Sequence, residues 1–276
     1  MTLADRKTAG LSVIPIVIGN LGIQIQCARD DFARWASNRY GRFSASTEVD
    51  DWLILTIDAL EPGEGSDQHV LKFTQTDIDF DASLLQGQIS LESGKGWLKV
   101  SPVSFDSLIE NTLRYCAALM AYRSGGMMLH GAGIVHALAG YVFFGPSGIG
   151  KTTISRLFFE DVVLNDDLIL LTKKTGLWKV FSTPFSHPEQ VQPTYGNAPL
   201  AAMYRLVQDN NVYTEEITKG QAIAEILACI PLLPSRIDFL DGLIVRCENL
   251  VEQIPVQRLH FLPDQSFKGY IFLHDS

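Results

Sequence analysis

The chain has 276 residues, 46% hydrophobic and 19% charged, which is enough to bury a sizeable core in one large or two ordinary domains, and two are expected. A formal net charge of −9 and a pI near 5.1 exclude a general attraction to nucleic acid or to an acidic membrane surface, and no run of lysines and arginines supplies a local exception. No stretch reaches the roughly 18 apolar residues of a membrane span, and the charged opening Met1 to Lys7 leads into Pro15, Gly19 and Asn20 rather than an unbroken apolar core, so no secretory signal is expected.

The first hundred residues alternate in the manner of an antiparallel sheet, with strands expected at Leu21 to Gln26, Trp52 to Asp58, Val70 to Thr74, Gln88 to Glu92 and Trp97 to Val100. Ser93, Gly94, Lys95 and Gly96 read as a hairpin turn. One helix is predicted over Asp31 to Tyr40, capped by Asp30 or Asp31 and closed by Gly41 in a left-handed conformation. From Ser104 the apolar spacing becomes helical through Phe105, Leu108, Ile109, Leu113, Cys116, Ala117 and Met120, with Ser107 and Glu110 at capping-box spacing and Gly125–Gly126 as the stop. The division drawn from this change is a β-rich accessory domain over residues 1–103 and a second domain over 104–276, joined by a helix over 104–124.

Short strands follow at Met127 to Leu129 and Gly133 to His136, and then Tyr141 to Phe144 runs directly into Gly145, Pro146, Ser147, Gly148, Ile149, Gly150, Lys151 and Thr152. This run fits G-x-x-x-x-G-K-[ST], the phosphate-binding loop. Glycines let successive backbone N–H groups turn inward on a triphosphate, and the helix expected over Thr152 to Glu160 adds its positive end. Thr153 joins the loop residues as a nucleotide contact, Lys151 reaches the β and γ phosphates, and the Thr152 hydroxyl takes a magnesium position.

Fourteen residues separate Lys151 from Asp166 and Asp167, two acids inside the otherwise apolar stretch Val162 to Leu171. Burying a carboxylate costs several kcal/mol unless a cation or hydrogen bonds compensate, and magnesium with Lys151 would compensate. Neighbours on a strand face opposite ways, so both acids can address one phosphate only if the strand breaks between them. One carboxylate would take the proton of an attacking hydroxyl and the other hold metal or loop; which does which stays open.

Further on, Leu168 to Thr172 and Trp178 to Ser182 read as a hairpin around Lys174, Thr175 and Gly176. A Pro-rich connection leads to helices at Leu200 to Leu206 and Thr218 to Ile230, and Ile254 to Phe261 is a late strand. His187 and Glu189 in the prolyl loop are candidates to border a substrate. Arg205 and Arg258 are candidate phosphate clamps, with a solvated face as the alternative. Cys27, Cys116, Cys229 and Cys247 are scattered among apolar neighbours with no C-x-x-C pair, as in a reduced, cytoplasmic protein.

The stretch from His130 to Leu171, with a histidine ahead of two strands, the phosphate loop, one helix and an Asp-Asp pair, resembles the catalytic core of HPr kinase/phosphorylase and its relatives. It is closer to the shorter HPr-kinase-related proteins with a β-rich amino-terminal part. The resemblance implies an α/β fold of mixed α+β character, whose nucleotide core is shared with phosphoenolpyruvate carboxykinase. It also implies a kinase using ATP and Mg2+ to phosphorylate a hydroxyl, with serine of a peptide or protein as acceptor. Asp166 matches the family's catalytic base, Asp167 its metal-side neighbour and His130 a histidine near the reacting phosphate. The family's tendency to assemble makes a homo-oligomer a reasonable expectation; nucleic acid and membrane are not expected partners. The second glycine-rich, arginine-bearing signature of HPr kinase/phosphorylase has no counterpart here, so neither its reverse reaction nor HPr as substrate carries over. A nucleotide-binding sensor or scaffold without catalysis is the alternative reading.

Overall fold

A computed structural model describes residues 10–44, 49–66, 70–187, 190–231 and 237–272; the opening Met1 to Lys7 and, in the prolyl loop, Glu189 lie outside these residues. The protein is a mixed α/β chain with two mixed sheets, and it separates into two compact units, Met1–Met120 and Ala121–Ser276. Among the described residues no helix is long and apolar enough to cross a membrane. All four cysteines are buried and unpaired with one another.

The first unit is built from β1 (Ser12–Ile18), β2 (Leu21–Cys27), α1 (Asp30–Tyr40), β3 (Asp51–Ala59), β4 (Val70–Phe73), β5 (Asp77–Asp81), β6 (Leu85–Ser90), β7 (Lys95–Val100) and most of α2 (Phe105–Arg123). Its seven strands lie in the order β1-β2-β3-β7-β6-β5-β4. The antiparallel expectation is corrected here, because β2–β3 and β3–β7 are parallel pairs. Alternation reports which face is buried and not which way a neighbour runs. After β2, α1 carries the chain back so that β3 starts from the same end, and the β4–β5–β6 meander does the same for β7. Strand β1 was not anticipated; it contains Pro15 and lies at the sheet edge, where a missing N–H is tolerated.

Three local expectations also change. Gly41 has φ −57 and continues into a 3₁₀ turn, Gly41–Phe43, instead of closing α1 in a left-handed conformation; the N-cap position of α1 is Arg29, whose side chain makes no capping bond, while Asp31 Oδ1 accepts from the Phe32 N–H at 3.0 Å. Ser107 lies inside α2, so Glu110 is no capping residue. It accepts from Arg39 at 2.9 and 3.0 Å and from Arg114 at 3.1 Å. The β6–β7 turn occupies residues 91–94, and Lys95 already belongs to β7. Gly125 does terminate α2, with φ +81, while the Gly126 N–H donates to the Ala121 carbonyl.

The second unit continues with β8 (Met127–His136), β9 (Ala139–Phe144), α3 (Lys151–Leu157), β10 (Val162–Asn165), β11 (Leu168–Lys174), β12 (Leu177–Phe181), β13 (Asn197–Gln208), β14 (Tyr213–Glu216), α4 (Lys219–Leu227), α5 (Ile237–Val251), β15 (Val256–Phe261) and α6 (Lys268–Ile271). Its backbone is a parallel trio in which β13 lies between β9 and β15, with Met203, Tyr204 and Arg205 paired to both. Antiparallel β8, β10, β11 and β12 extend it. One face buries Leu129, Phe144, Ile169, Met203, Leu243 and Cys247; the other buries Ile134, Phe143, Phe158, Leu206, Leu259 and Phe267.

The predicted helix at Leu200 to Leu206 is instead the middle of β13. Its leucines recur at a spacing that imitates a helix, but Leu200, Met203 and Leu206 are buried between neighbouring strands, and that packing decides the outcome. The helix from Thr218 forms as α4, with the capping box of Thr218 and Gln221 complete.

Candidate active site

Every element of the site is placed by the strand that precedes it. Strand β9 ends at Phe144, and the chain turns through Gly145 (φ +151), Gly148 (φ +79) and Gly150 (φ +115) before α3 begins at Lys151. Two of these glycines, already set by dihedral, also stand close against side chains from neighbouring strands. A Cβ on Gly145 would stand 2.5 Å from Arg205 Nη1, and one on Gly150 2.7 Å from Phe261 Cζ. The loop is therefore pressed between an arginine of β13 and an aromatic ring of β15.

Hydrogen bonds hold the loop in shape. The Ile149 N–H donates to the Pro146 carbonyl at 3.3 Å, and Gln208 Nε2 donates to the Ile149 carbonyl at 3.2 Å. Lys151 Nζ lies over the loop and donates to the carbonyls of Gly145 at 2.9 Å and Pro146 at 3.0 Å. Burial lowers the Lys151 ammonium from its ordinary range and the nearby Arg205 adds to this, while Cys229, Asp167 and Asp166 act the other way. Pro146, Ser147 and Gly148 are exposed at the loop's tip.

The strand carrying the acids does break, between Asn165 and Leu168. Asn165 makes the break possible. It is fully buried, its Nδ2 donates to the carbonyls of Thr183 (2.8 Å) and Phe185 (3.0 Å), and its Oδ1 accepts from the N–H groups of Asp167 (2.7 Å) and Leu168 (3.3 Å). The amide thus satisfies backbone groups that a continuous strand would have paired.

The two carboxylates land in different surroundings. Asp166 is fully buried; its Oδ2 accepts from the Val191 N–H at 3.4 Å, and its Oδ1 has no hydrogen-bond partner. Burial raises its carboxyl above the usual carboxylate range, aided by the charge of Asp167 and opposed by hydrogen bonds from the Thr152 hydroxyl and the Val191 N–H. Asp167 is partly exposed, and His130 Nδ1 stands 3.5 Å from its Oδ1 and 3.2 Å from its carbonyl. The His130 N–H donates to the Cys229 carbonyl at 2.8 Å, fixing the histidine's backbone where β8 passes β11.

The structure therefore gathers Asp166 with Thr152, and Asp167 with His130. Arg205 and Arg258 are neither solvated nor free. Arg258 donates to Glu225 at 2.6 and 3.0 Å and to Glu215 at 3.2 Å, and Arg205 Nε lies 3.9 Å from Glu225. His187 is exposed, yet the loop before it, through Thr183, Phe185 and Ser186, is buried against Asn165 rather than bordering open solvent. The sequence pattern does not single out Asn165, Val191, Gln208 or Phe261. Only Asn165, an amide at the edge of an apolar strand, carried a signal of its own.

No family model matches the chain, and no curated protein sequence matches it. Among solved structures, the chain is similar to the Hpr(Ser) kinase/phosphatase from Coxiella burnetii. That match has 14% identity and a TM-score of 0.25, and it covers 46% of this chain and 93% of the other. A likeness that distant carries no argument, so the functional reading rests on the site itself.

Proposed function

We propose that the protein is a kinase that uses ATP and magnesium to transfer the γ-phosphoryl group to a hydroxyl, with serine of a peptide or protein as acceptor. In this reading the second unit's core is a phosphate-loop fold of the HPr kinase type. Residues 104–276 form the catalytic part and residues 1–103 an accessory part, in a cytoplasmic protein that assembles with its own copies.

The observation that carries the reading is the pairing of a phosphate loop with a buried carboxylate that has an oxygen to spare. A fully buried Asp166 with an unpartnered Oδ1 beside Thr152 is an unfavourable arrangement unless a ligand completes it. The donor set fits magnesium, which takes one or two carboxylates and a hydroxyl together with phosphate oxygens; Thr152 and Asp167 would hold it. When bound, that ion neutralises charge on the β and γ phosphates. Among the described residues no group of three or more His, Cys, Asp or Glu side chains could hold a metal ion without such a shared ligand.

The chain's own groups divide the remaining work. The loop amides and Lys151 grip the phosphates, and exchanging the Gly145 and Pro146 carbonyls for phosphate oxygens gives the Lys151 ammonium a partner of opposite charge. Asp166, with its raised carboxyl, is suited to take the proton of the attacking hydroxyl at Oδ1. His130 and Asp167 steady each other at the open side.

The test is radiolabelled ATP with magnesium and a set of candidate peptides and proteins. Label on an acceptor hydroxyl, lost in Asp166→Asn while nucleotide binding is kept, supports the assignment. Nucleotide binding with no label on any acceptor would turn the reading toward a sensor.

A further inference from the structure

Three parallel strands end on the same side of the second sheet. β9 ends at the phosphate loop, β13 at Gln208, Asp209 and Asn210, and β15 at Leu262 and Pro263. Crevices at the carboxyl ends of parallel strands are where open α/β sheets take ligands. Here the ends enclose a cleft of about 700 Å³ lined by Gly150 and Thr153 from the loop side, Gln208, Asp209 and Asn210 from the end of β13, and Phe261, Leu262 and Pro263 from the end of β15. Its size lies within the roughly 300–1,000 Å³ of small-molecule sites.

The cleft begins where the phosphate loop stops. It shares Gly150 and Thr153 with the loop, whereas Asp166 meets the neighbouring Thr152. A ligand held by its phosphates on the loop has a terminal phosphate near Asp166, so the rest of it must leave past Thr153.

The lining suits an uncharged group. No lysine or arginine is among these residues, so a phosphate would find no cation there. The one carboxylate, Asp209, is already occupied. Its Oδ2 faces His260 Nδ1 at 2.8 Å and accepts from Tyr213 Oη at 3.3 Å, and its Oδ1 accepts from the N–H groups of Asn210 and Asn211. What remains is an apolar wall at Leu262 and Pro263 and the exposed amide of Asn210, which can both donate and accept, as the edge of a base requires.

Resting on the phosphate-loop reading above, we infer that this cleft is the nucleoside site: base and ribose lie between the ends of β13 and β15, and the phosphates run back over Thr153 and Gly150 toward Asp166. Gln208 ties the two halves together, since its amide holds the Ile149 carbonyl of the loop from within the cleft wall.

The test compares the affinity of the full chain, with magnesium, for ATP and for inorganic tripolyphosphate, which has the phosphates without the nucleoside. Wild type should bind ATP at least about tenfold more tightly, the worth of one or two good contacts. Asn210→Trp, a change at an exposed position that fills the cleft, should erase that preference and leave tripolyphosphate affinity unchanged; Asn210→Ala should reduce it. Equal affinity of wild type for the two ligands, or a preference that survives Asn210→Trp, overturns the cleft assignment and leaves the loop reading standing. Failure to bind either ligand overturns both.

Discussion

The two sheets treat polar residues in opposite ways. In the first unit the strands bury Ile16, Ile23, Leu55, Ile57, Ile89 and Leu98 and turn Gln24, Thr56, Trp97, Gln88 and Asp79 outward. Among the described residues its fully buried polar side chains are few: Thr112 donates back to the Leu108 carbonyl of its own helix at 2.8 Å, and Tyr40 of α1 carries its hydroxyl inside. The second unit buries Ser155, Asn165, Asp166, Thr172, Ser182, Thr183 and Ser186, most of them near the strand break. Sorting by polarity suffices to make a sheet stable. Polar groups kept inside at a desolvation cost mark the place where the fold serves something other than its own stability.

If that contrast is right, damage to the second unit's polar interior should reach chemistry first. The largest effect is expected from Asp166→Asn, which should slow phosphoryl transfer on the order of 10³-fold or more while ATP still binds. Labelled-ATP kinetics alongside calorimetric binding would separate the two. Lys151→Ala should lower transfer by about 10²–10³-fold and weaken ATP binding as well, because the same ammonium serves ground and transition states. Retained transfer in either variant would break the proposed roles. By contrast, Leu55→Ala in the first sheet should cost about 2–5 kcal/mol of stability by leaving a cavity, with ATP affinity unchanged in the folded fraction.

Much of the site could be read from the chain because its signals are local. The loop motif, the strand ahead of it and the acid pair all lie within a short stretch, and spacing alone placed them in order. Features set by distant partners were not legible. Nothing near Arg205 says that it will lie against Gly145, and nothing near Phe261 says that it will meet Gly150; both contacts come from strand pairing across the sheet. Likewise the Leu200 to Leu206 run was misread because burial between strands, and not its own periodicity, made it β13. Glu110 lost its capping role to Arg39, 71 residues away in the chain.

Asn165→Ala should strike stability and chemistry together. That side chain holds two carbonyls and two N–H groups inside the protein, and its removal leaves several of them without partners, at about 1–3 kcal/mol for each group that water cannot reach. Denaturant titration should show the loss, and transfer should fall along with stability because the acid pair hangs on this amide. A variant that lost stability and kept full transfer would show that Asn165 serves the fold alone.

The smallest expected effect is the pH dependence of stability. Burial raises the Asp166 carboxyl, so the folded protein holds that proton more tightly than the unfolded chain does. The stabilisation from its protonation is complete below the ordinary carboxylate range and is lost as pH rises through the raised folded value. Asp166→Asn carries no such titration. Unfolding midpoints measured from pH 4 to 8 should therefore decline less steeply in the variant than in wild type, with the variant the more stable of the two toward neutral pH. An unchanged pH slope would mean that Asp166 is already compensated in the folded chain, and the carboxylate would then resemble the satisfied Thr112 of the first unit instead of a group held ready for a ligand.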